Sequence, residues 1–505
     1  MGVFDNIAIG LEAALSWTNL FYCFFGVTLG TFLGVIPGIG VFVAISLLFP
    51  ITFHLEPTAA LIMLAGIYYG TTYGGSTASI LLNVPGTPSN AVSCLDGYPM
   101  SKQGRAGIAL LMSSVASFVG GTIGIILMMA FAPIISENAM RFGSQEYFAL
   151  MLLGLIAASV ISEGSALKGL AMVALGLFLG MVGTDLSSGV QRFDLGIEGL
   201  YDGVSIVALA MGLFGVAEVI ASIRYAGHTK IDPKSITFRS MLPTKDDLRR
   251  SWMPMARGSG IGSFFGSLPG TGGFVASFIS YAIEKKISKD PSRFGKGAIE
   301  GLVGPEAANN AGDQTAFIPT MTLGIPGSPV MAIMLGVLII HGITPGPRLV
   351  YEEPSLFWGL VMSFWIGNFL LIVLNVPLIQ LWVRTLTIPY HLLFPAIIMF
   401  VCIGVYSVSN IAFDIYVLLA FAFVGYVFRI FGYSPAPLIL GFILGPMMEE
   451  NFRRSLVLAR GDIMTFFDRP ISGTIMGVTA LILIAPMAVR AICHVSGKSQ
   501  DKSDV

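Results

Sequence analysis

The chain has 505 residues, 54% of them hydrophobic and only 11% charged. A soluble domain carries about 25% charged residues, so this composition excludes an ordinary water-soluble globule and selects a polytopic membrane protein. The net charge of −1 identifies no partner, and nothing in the chain points to nucleic acid.

A transmembrane β-barrel reads as alternating segments of about ten residues. Here the apolar runs are continuous, so the expected fold is all-α. Four cysteines (Cys23, Cys94, Cys402, Cys493) lack metal or redox spacing and read as small apolar fillers. The start of the chain, Met1 to Leu15, lacks the basic region of a cleavable leader.

In chain order the apolar runs lie near 17–36, 41–53, 58–82, 106–131, 146–161, 167–183 and 201–223. After a polar stretch they resume near 258–268, 273–284, 298–324, 330–341, 355–383, 392–410, 414–428, 434–448 and 471–493. Several are shorter than the roughly 20 residues that cross the hydrocarbon. The short ones flank glycine-proline phrases. Gly34-Val35-Ile36-Pro37-Gly38-Ile39-Gly40 recurs 232 residues later as Gly266-Ser267-Leu268-Pro269-Gly270-Thr271-Gly272. Asn83-Val84-Pro85-Gly86-Thr87-Pro88 recurs 241 residues later as Gly324-Ile325-Pro326-Gly327-Ser328-Pro329.

Charge placement orients the runs. No Lys or Arg precedes Lys102, eight basic residues fall between Arg224 and Arg257, and five more between Lys285 and Lys296. Basic loops stay in the cytoplasm, so both basic stretches belong on one side. The runs 258–268 and 273–284 between them are most simply a re-entrant hairpin, two tightly connected full spans being the alternative. The runs 17–36 and 41–53, with no basic flank, permit the mirror hairpin from outside. Five crossings per repeat invert the second repeat relative to the first. The fold expected is all-α and polytopic, with two inverted-topology repeats, re-entrant hairpins, discontinuous helices and about 11–12 transmembrane segments. Residues 1–223 form the first repeat, 224–257 a basic cytoplasmic linker, 258–449 the second repeat, and 450–505 a terminal helix with a cytoplasmic tail. The acidic loop 184–200 and Glu352–Glu353 suit the outside; the loop 449–470, with Arg453, Arg454 and Arg460, fits this scheme poorly.

Helix breaks at membrane depth free main-chain N–H and C=O groups that lipid cannot satisfy, so they survive only inside protein or beside a watery cavity. Paired breaks in two halves are the best pointer to a transporter's binding site. The candidate substrate-binding residues are therefore Pro37, Gly38, Gly40, Ser76, Thr77, Asn83, Gly86, Thr87 and Ser89 in the first half. In the second they are Pro269, Gly270, Thr271, Gly272, Pro326, Gly327 and Ser328. Helix N-termini after the tips suit carboxylates, and freed carbonyls with side-chain oxygens suit Na⁺. Asp313, a carboxylate inside an apolar run, is the leading ion-binding candidate, with Asn83, Asn310 and Thr315 beside it. Glu306 and Glu300 read as closer to the interface. No cofactor is expected beyond Na⁺ as a coupling ion.

The phrase Tyr73-Gly74-Gly75-Ser76-Thr77-x-Ser79-Ile80-Leu81-Leu82-Asn83-x-Pro85-Gly86-Thr87-Pro88, with Gly34-x-x-Pro37-Gly38-x-Gly40 and both second-half phrases, resembles the large membrane subunit of the tripartite tricarboxylate transporters, the TctA family. The resemblance spans nearly the whole chain. It implies a bacterial inner-membrane secondary transporter without an ATPase. It also implies a small four-span membrane subunit of the TctB type and a periplasmic substrate-binding protein of the TctC type. Uptake of citrate or related carboxylates would be driven by a sodium or proton gradient. The rivals are an ion or solute channel and an intramembrane enzyme. The second needs a nucleophile–base pair or a metal cluster, and no such motif lies in the apolar runs, so no enzyme activity is expected.

Overall fold

The computed structural model describes residues 3–36, 39–161, 165–185, 188–222, 237–268, 272–386 and 390–495. The first half runs through α1 (Val3–Ala14), α2 (Trp17–Val35), α3 (Val41–Leu48), α4 (Pro57–Leu82), α5 (Ala91–Met100), α6 (Ala106–Ala139), α7 (Ser144–Ile161) and α8 (Ala166–Gly180). A short antiparallel ribbon, β1 (Gly183–Thr184) with β2 (Gln191–Arg192), precedes α9 (Ile206–Ala210), a π-helical stretch at Met211–Val216 and α10 (Ala217–Ser222). The second half holds α11 (Phe238–Met241), α12 (Lys245–Gly266), α13 (Gly272–Ile287), α14 (Glu300–Thr315), α15 (Phe317–Leu323), α16 (Pro329–Ile340), α17 (Leu349–Glu352) and α18 (Pro354–Asn375). It closes with α19 (Ile379–Thr385), α20 (Tyr390–Ser409), α21 (Phe413–Ile430), α22 (Ala436–Leu458), α23 (Thr465–Asp468) and α24 (Pro470–Val495). Among the described residues four continuous helical runs are long and apolar enough to cross a membrane: Trp17–Val35, Pro88–Ala139, Pro354–Asn375 and Phe413–Ile430. Seven shorter apolar helices accompany them. The protein is an all-α polytopic membrane protein.

Three helices outrun their apolar stretches, α6 continuing to Ala139 past a run that ends near 131. α12 starts at Lys245, well before the run at 258, because Thr244 and Asp247 cap each other reciprocally. α22 continues to Leu458, and its last turns carry Arg453 and Arg454.

Small residues set how the helices pack. A Cβ at Gly26, Gly30 or Gly34 of α2 would strike the main chain of Met63, Ile67 or Thr71 on α4. A Cβ at Gly258, Gly262 or Gly266 of α12 would strike that of Gly304, Ala308 or Gly312 on α14. The first members of these pairs are 232 residues apart and the second members 241, the offsets of the two phrases. The duplication is thus present in the packing as well as in the sequence. In lipid, where apolar chains gain nothing by leaving tails for each other, such close main-chain approach drives helix association.

Contacts also set direction. Residues rise together along α2 and α4, and along α12 and α14, so each pair is parallel. Between the halves the order reverses: Tyr69 meets Gln314 and Phe317, Tyr68 meets Asp313, and Ser76 meets Glu306. α4 and α14 are therefore antiparallel, and the two packed pairs point opposite ways. Tyr69, Phe317 and Phe364 interlock beside this crossing.

The charged groups gather at two ends. At one, Arg105 binds Asp247 (2.5 Å), Arg257 binds Glu284 (2.7 Å), Arg250 binds Glu300 (3.0 Å), and Gln103 donates to the Lys296 carbonyl. The Arg257–Glu284 pair ties the outer parts of α12 and α13 together, so these helices form an antiparallel hairpin whose ends share the basic side. α6, about 50 Å long at 1.5 Å per residue, leads to the other end. There Arg192 pairs with Asp185 and Glu449, Arg453 with Asp185 (3.1 Å), and Arg469 with Glu146 (2.8 Å). Arg453, which fitted the charge pattern poorly, is thus matched by Asp185 of the 184–200 loop and by Glu449 one turn back on α22.

The seam makes a testable demand. Gly262→Val is expected to destabilise the protein by ~1–3 kcal/mol, the range for overpacking. Gly260→Ala, on the same helix but facing open space, should stay within about 0.5 kcal/mol. Thermal unfolding of the purified variants measures both, and equal midpoints would refute the seam.

Candidate functional site

α4 stops at Asn83, whose left-handed conformation (φ 59°, ψ 32°) turns the chain out of the helix. α15 stops the same way at the equivalent Gly324 (φ 69°, ψ 21°). Pro85 and Pro88, or Pro326 and Pro329, follow and cannot donate a main-chain hydrogen bond. Each loop then folds back on its own helix: a Cβ at Gly86 would meet Gly75, and one at Gly327 would meet Ala316. α16 restarts after Ser328, whose hydroxyl accepts the Met331 N–H (3.3 Å). On the other side Thr87 donates to the Asn90 side-chain oxygen (2.5 Å) and lies 2.9 Å from the Ser89 hydroxyl.

The two breaks and the starts of α3 and α13 meet at one cavity of about 650 Å³. Of the sequence candidates, Gly40, Gly86, Thr87, Ser89, Gly272, Ser328 and Asp313 line it together. Pro37, Gly38, Pro269, Gly270 and Thr271 lie outside the described residues. The remaining candidates stand elsewhere. Ser76 faces Glu306 behind the wall, Thr77 is buried, and Pro326 and Gly327 are buried in the loop, with the Gly327 N–H on the Thr320 hydroxyl. Asn83 is exposed and serves the turn. Asn310 donates to the Glu306 carbonyl, and Thr315 to the Ala311 carbonyl, each one turn back on its own helix.

Asp313 is 3% exposed and is the carboxylate at the crossing of α4 and α14. The Tyr68 hydroxyl donates to its Oδ1 (2.5 Å), and the Thr72 hydroxyl lies 3.4 Å from its Oδ2. Thr72 and Asp313 are 241 residues apart, so equivalent positions of the two halves meet here. One turn back on α14, Asn309 is 1% exposed, and its amide oxygen and nitrogen have no hydrogen-bond partner among the described residues. A Cβ at Gly273 would lie 2.6 Å from the Asn309 Oδ1 and 2.7 Å from the Asp313 Oδ1, so both oxygens face the first turn of α13. Carboxylate, amide and hydroxyl oxygens in this arrangement form a hard donor set.

Glu218 of α10 and Arg429 of α21 also reach the cavity. The Glu218 carboxylate lies against the start of α3: a Cβ at Gly40 would stand 2.8 Å from its Oε1. Sequence reasoning passed over both residues, although an ionisable residue in or beside an apolar run is the available signal. Tyr68 gave no such signal, since an aromatic residue in an apolar run reads as core.

A protein of Agrobacterium vitis described as "Uncharacterized 52.8 kDa protein in TAR-I ttuC' 3'region" is 47% identical over 486 residues, covering 96% of each chain. A second from the same organism, "Uncharacterized protein in TAR-II ttuC' 3'region", is 53% identical over 223 residues, 44% of this chain and 92% of its own. No solved structure matches the chain. The sequence model of one family, the Tripartite tricarboxylate transporter TctA family, matches residues 20–440, and the chain therefore belongs to that family of transporter membrane subunits.

Proposed function

We propose that this chain is the large membrane subunit of a binding-protein-dependent secondary transporter in the bacterial inner membrane. It imports organic di- or tricarboxylates such as citrate, coupled to a sodium or proton gradient. The partners are a small four-span subunit of the TctB type and a periplasmic binding protein of the TctC type, which delivers the substrate. Residues 1–223 and 258–449 act as the two repeats. The basic link 224–257, whose last turns belong to α12, joins them, and 450–505 supply the terminal helix and tail.

The observation that supports this reading is the convergence of both helix breaks on one cavity walled by hydroxyls, two carboxylates and one guanidinium. Substrate carboxylates find donors in the hydroxyls of Thr87, Ser89 and Ser328, in the N-terminus of α16, and in the Arg429 fork, which suits a carboxylate bidentately. Asp313 and Glu218 leave the wall more acidic than basic. Adding a carboxylate without a cation therefore buries unpaired negative charge at a cost of several kcal/mol. A cation held by Asp313, Asn309 and Thr72 removes that cost, which is the physical reason for coupling. Rocking of one repeat against the other about the α4–α14 crossing exposes the cavity alternately.

Uptake of radiolabelled citrate into proteoliposomes holding all three subunits tests the reading. Uptake indifferent to both sodium and proton gradients would refute it. Asp313→Asn is expected to lower gradient-driven uptake at least roughly tenfold, the equivalent of about 1.4 kcal/mol. Arg429→Gln is expected to raise KM by about tenfold, as for loss of a hydrogen bond to a charged group, while leaving the ion dependence intact. An unchanged KM would remove Arg429 from the site.

A further inference from the structure

Glu306 has no part in the cavity wall, yet it is among the most enclosed charges in the chain, 1% exposed on α14. No Lys or Arg pairs with it among the described residues. Its partners are three serine hydroxyls. Ser76 of α4 lies 2.9 and 3.0 Å from the two carboxylate oxygens, Ser93 of α5 contacts Oε1, and Ser117 of α6 lies 3.2 Å from Oε2. All three serines belong to the first half and the carboxylate to the second. Asn90 donates its amide N–H to Ser76 (2.8 Å), which leaves the single Ser76 hydrogen for Glu306 or, at 3.2 Å, for the Thr72 carbonyl. The Asn90 oxygen in turn accepts from Thr87 (2.5 Å), and Thr87 lines the cavity.

An ionised carboxylate buried without a cation is costly and is neutralised instead. The serine oxygens sit directly on the carboxylate oxygens, in hydrogen-bond contact. A proton suits this nest, because the same three groups serve either state. They accept from or donate to the acid, and all donate to the anion.

We infer that Glu306 is a proton-binding site separate from Asp313, linked to the occupancy of the cavity through Ser76, Asn90 and Thr87. A substrate carboxylate that claims the Thr87 hydrogen takes a donor from Asn90 and re-aims the amide that orients Ser76. An amide relays no proton, so the link is one of orientation. The proton itself passes to water admitted when α4, α5 and α6 part from α14. The carboxyl O–H bond breaks, water takes the proton, and the carboxylate keeps the electron pair under the serine hydrogens. The other titratable groups facing this point are Tyr73 from α4, Cys94 from α5 and Asp313, about 10 Å along the same helix; α6 presents only Ser117. Glu284 of α13 is paired with Arg257 of α12.

The inference rests on the transport reading, and the experiment separates the two. In proteoliposomes with all three subunits, wild-type uptake is measured against pH beside Glu306→Gln, which keeps shape and neutrality but holds no exchangeable proton. The wild type is expected to vary with pH and the variant to lose that variation. Infrared difference spectra should show a protonated-acid carbonyl band in the wild type that Glu306→Gln lacks. The same pH profile and the same band in both proteins would overturn the site while leaving transport in place. Absence of wild-type uptake of any carboxylate would overturn the transport reading instead. Should Glu306→Gln not fold, Ser117→Ala decides. Loss of a donor to the anion should move the midpoint of the pH profile upward, and no movement would overturn the site.

Discussion

In hydrocarbon, nothing but the protein itself satisfies a main-chain N–H or C=O that leaves a helix. This chain leaves the helix at Asn83 and Gly324 and must therefore shelter both loops. It does so by bringing backbones very close. Glycines along α2 and α12 admit α4 and α14 to main-chain contact, and Gly86 and Gly327 fold their loops onto the helices they have just left. Side chains at these positions would hold the helices apart and open the loops to lipid. The seam and the cavity are thus one construction, since close packing on one face of the broken helices leaves the other face free to be polar.

The same constraint governs the charges. Three carboxylates buried between the halves are met by hydroxyls and main-chain donors rather than by bases. Asp313 takes Tyr68 and Thr72, and Glu306 takes three serines. Asp96 of α5 accepts the N–H groups of Gly295 (2.9 Å), Gly297 and Ala298 (both 2.8 Å) just ahead of α14. Each of these contacts crosses from one half to the other. A hydroxyl rotates and serves either protonation state of its partner, whereas a fixed guanidinium would lock the carboxylate as an anion. The arginines are instead concentrated at the two ends, where they stay partly in contact with water while pairing with buried acids.

Much of this was legible before any coordinates. Apolar runs located most of the helices, though not the far ends of α6, α12 and α22, because the length that spans hydrocarbon and the composition it tolerates are tightly bounded while the parts outside it are not. The glycine-proline phrases located the breaks, because no other residues stop a helix so reliably. Chemistry at the breaks was less legible. Asn83 reads as a ligand but is spent on a left-handed turn, and Thr315 and Asn310 bond back to their own helix. A short polar side chain always has these local alternatives, and sequence does not say which it takes.

The chain alone determined that it is built for lipid, that it is duplicated, and where its helices are interrupted, since these depend on composition and on local main-chain chemistry. Only the tertiary structure decided which face of each helix is polar and what stands opposite it. That Thr72 and Asp313 meet follows from how α4 and α14 cross, that Asn309 rather than Asn310 faces Gly273 from how α13 packs on α14, and that Glu218 and Arg429 reach the cavity from how α10 and α21 pack together. A crossing is set by the summed fit of many small contacts, and no single residue records it.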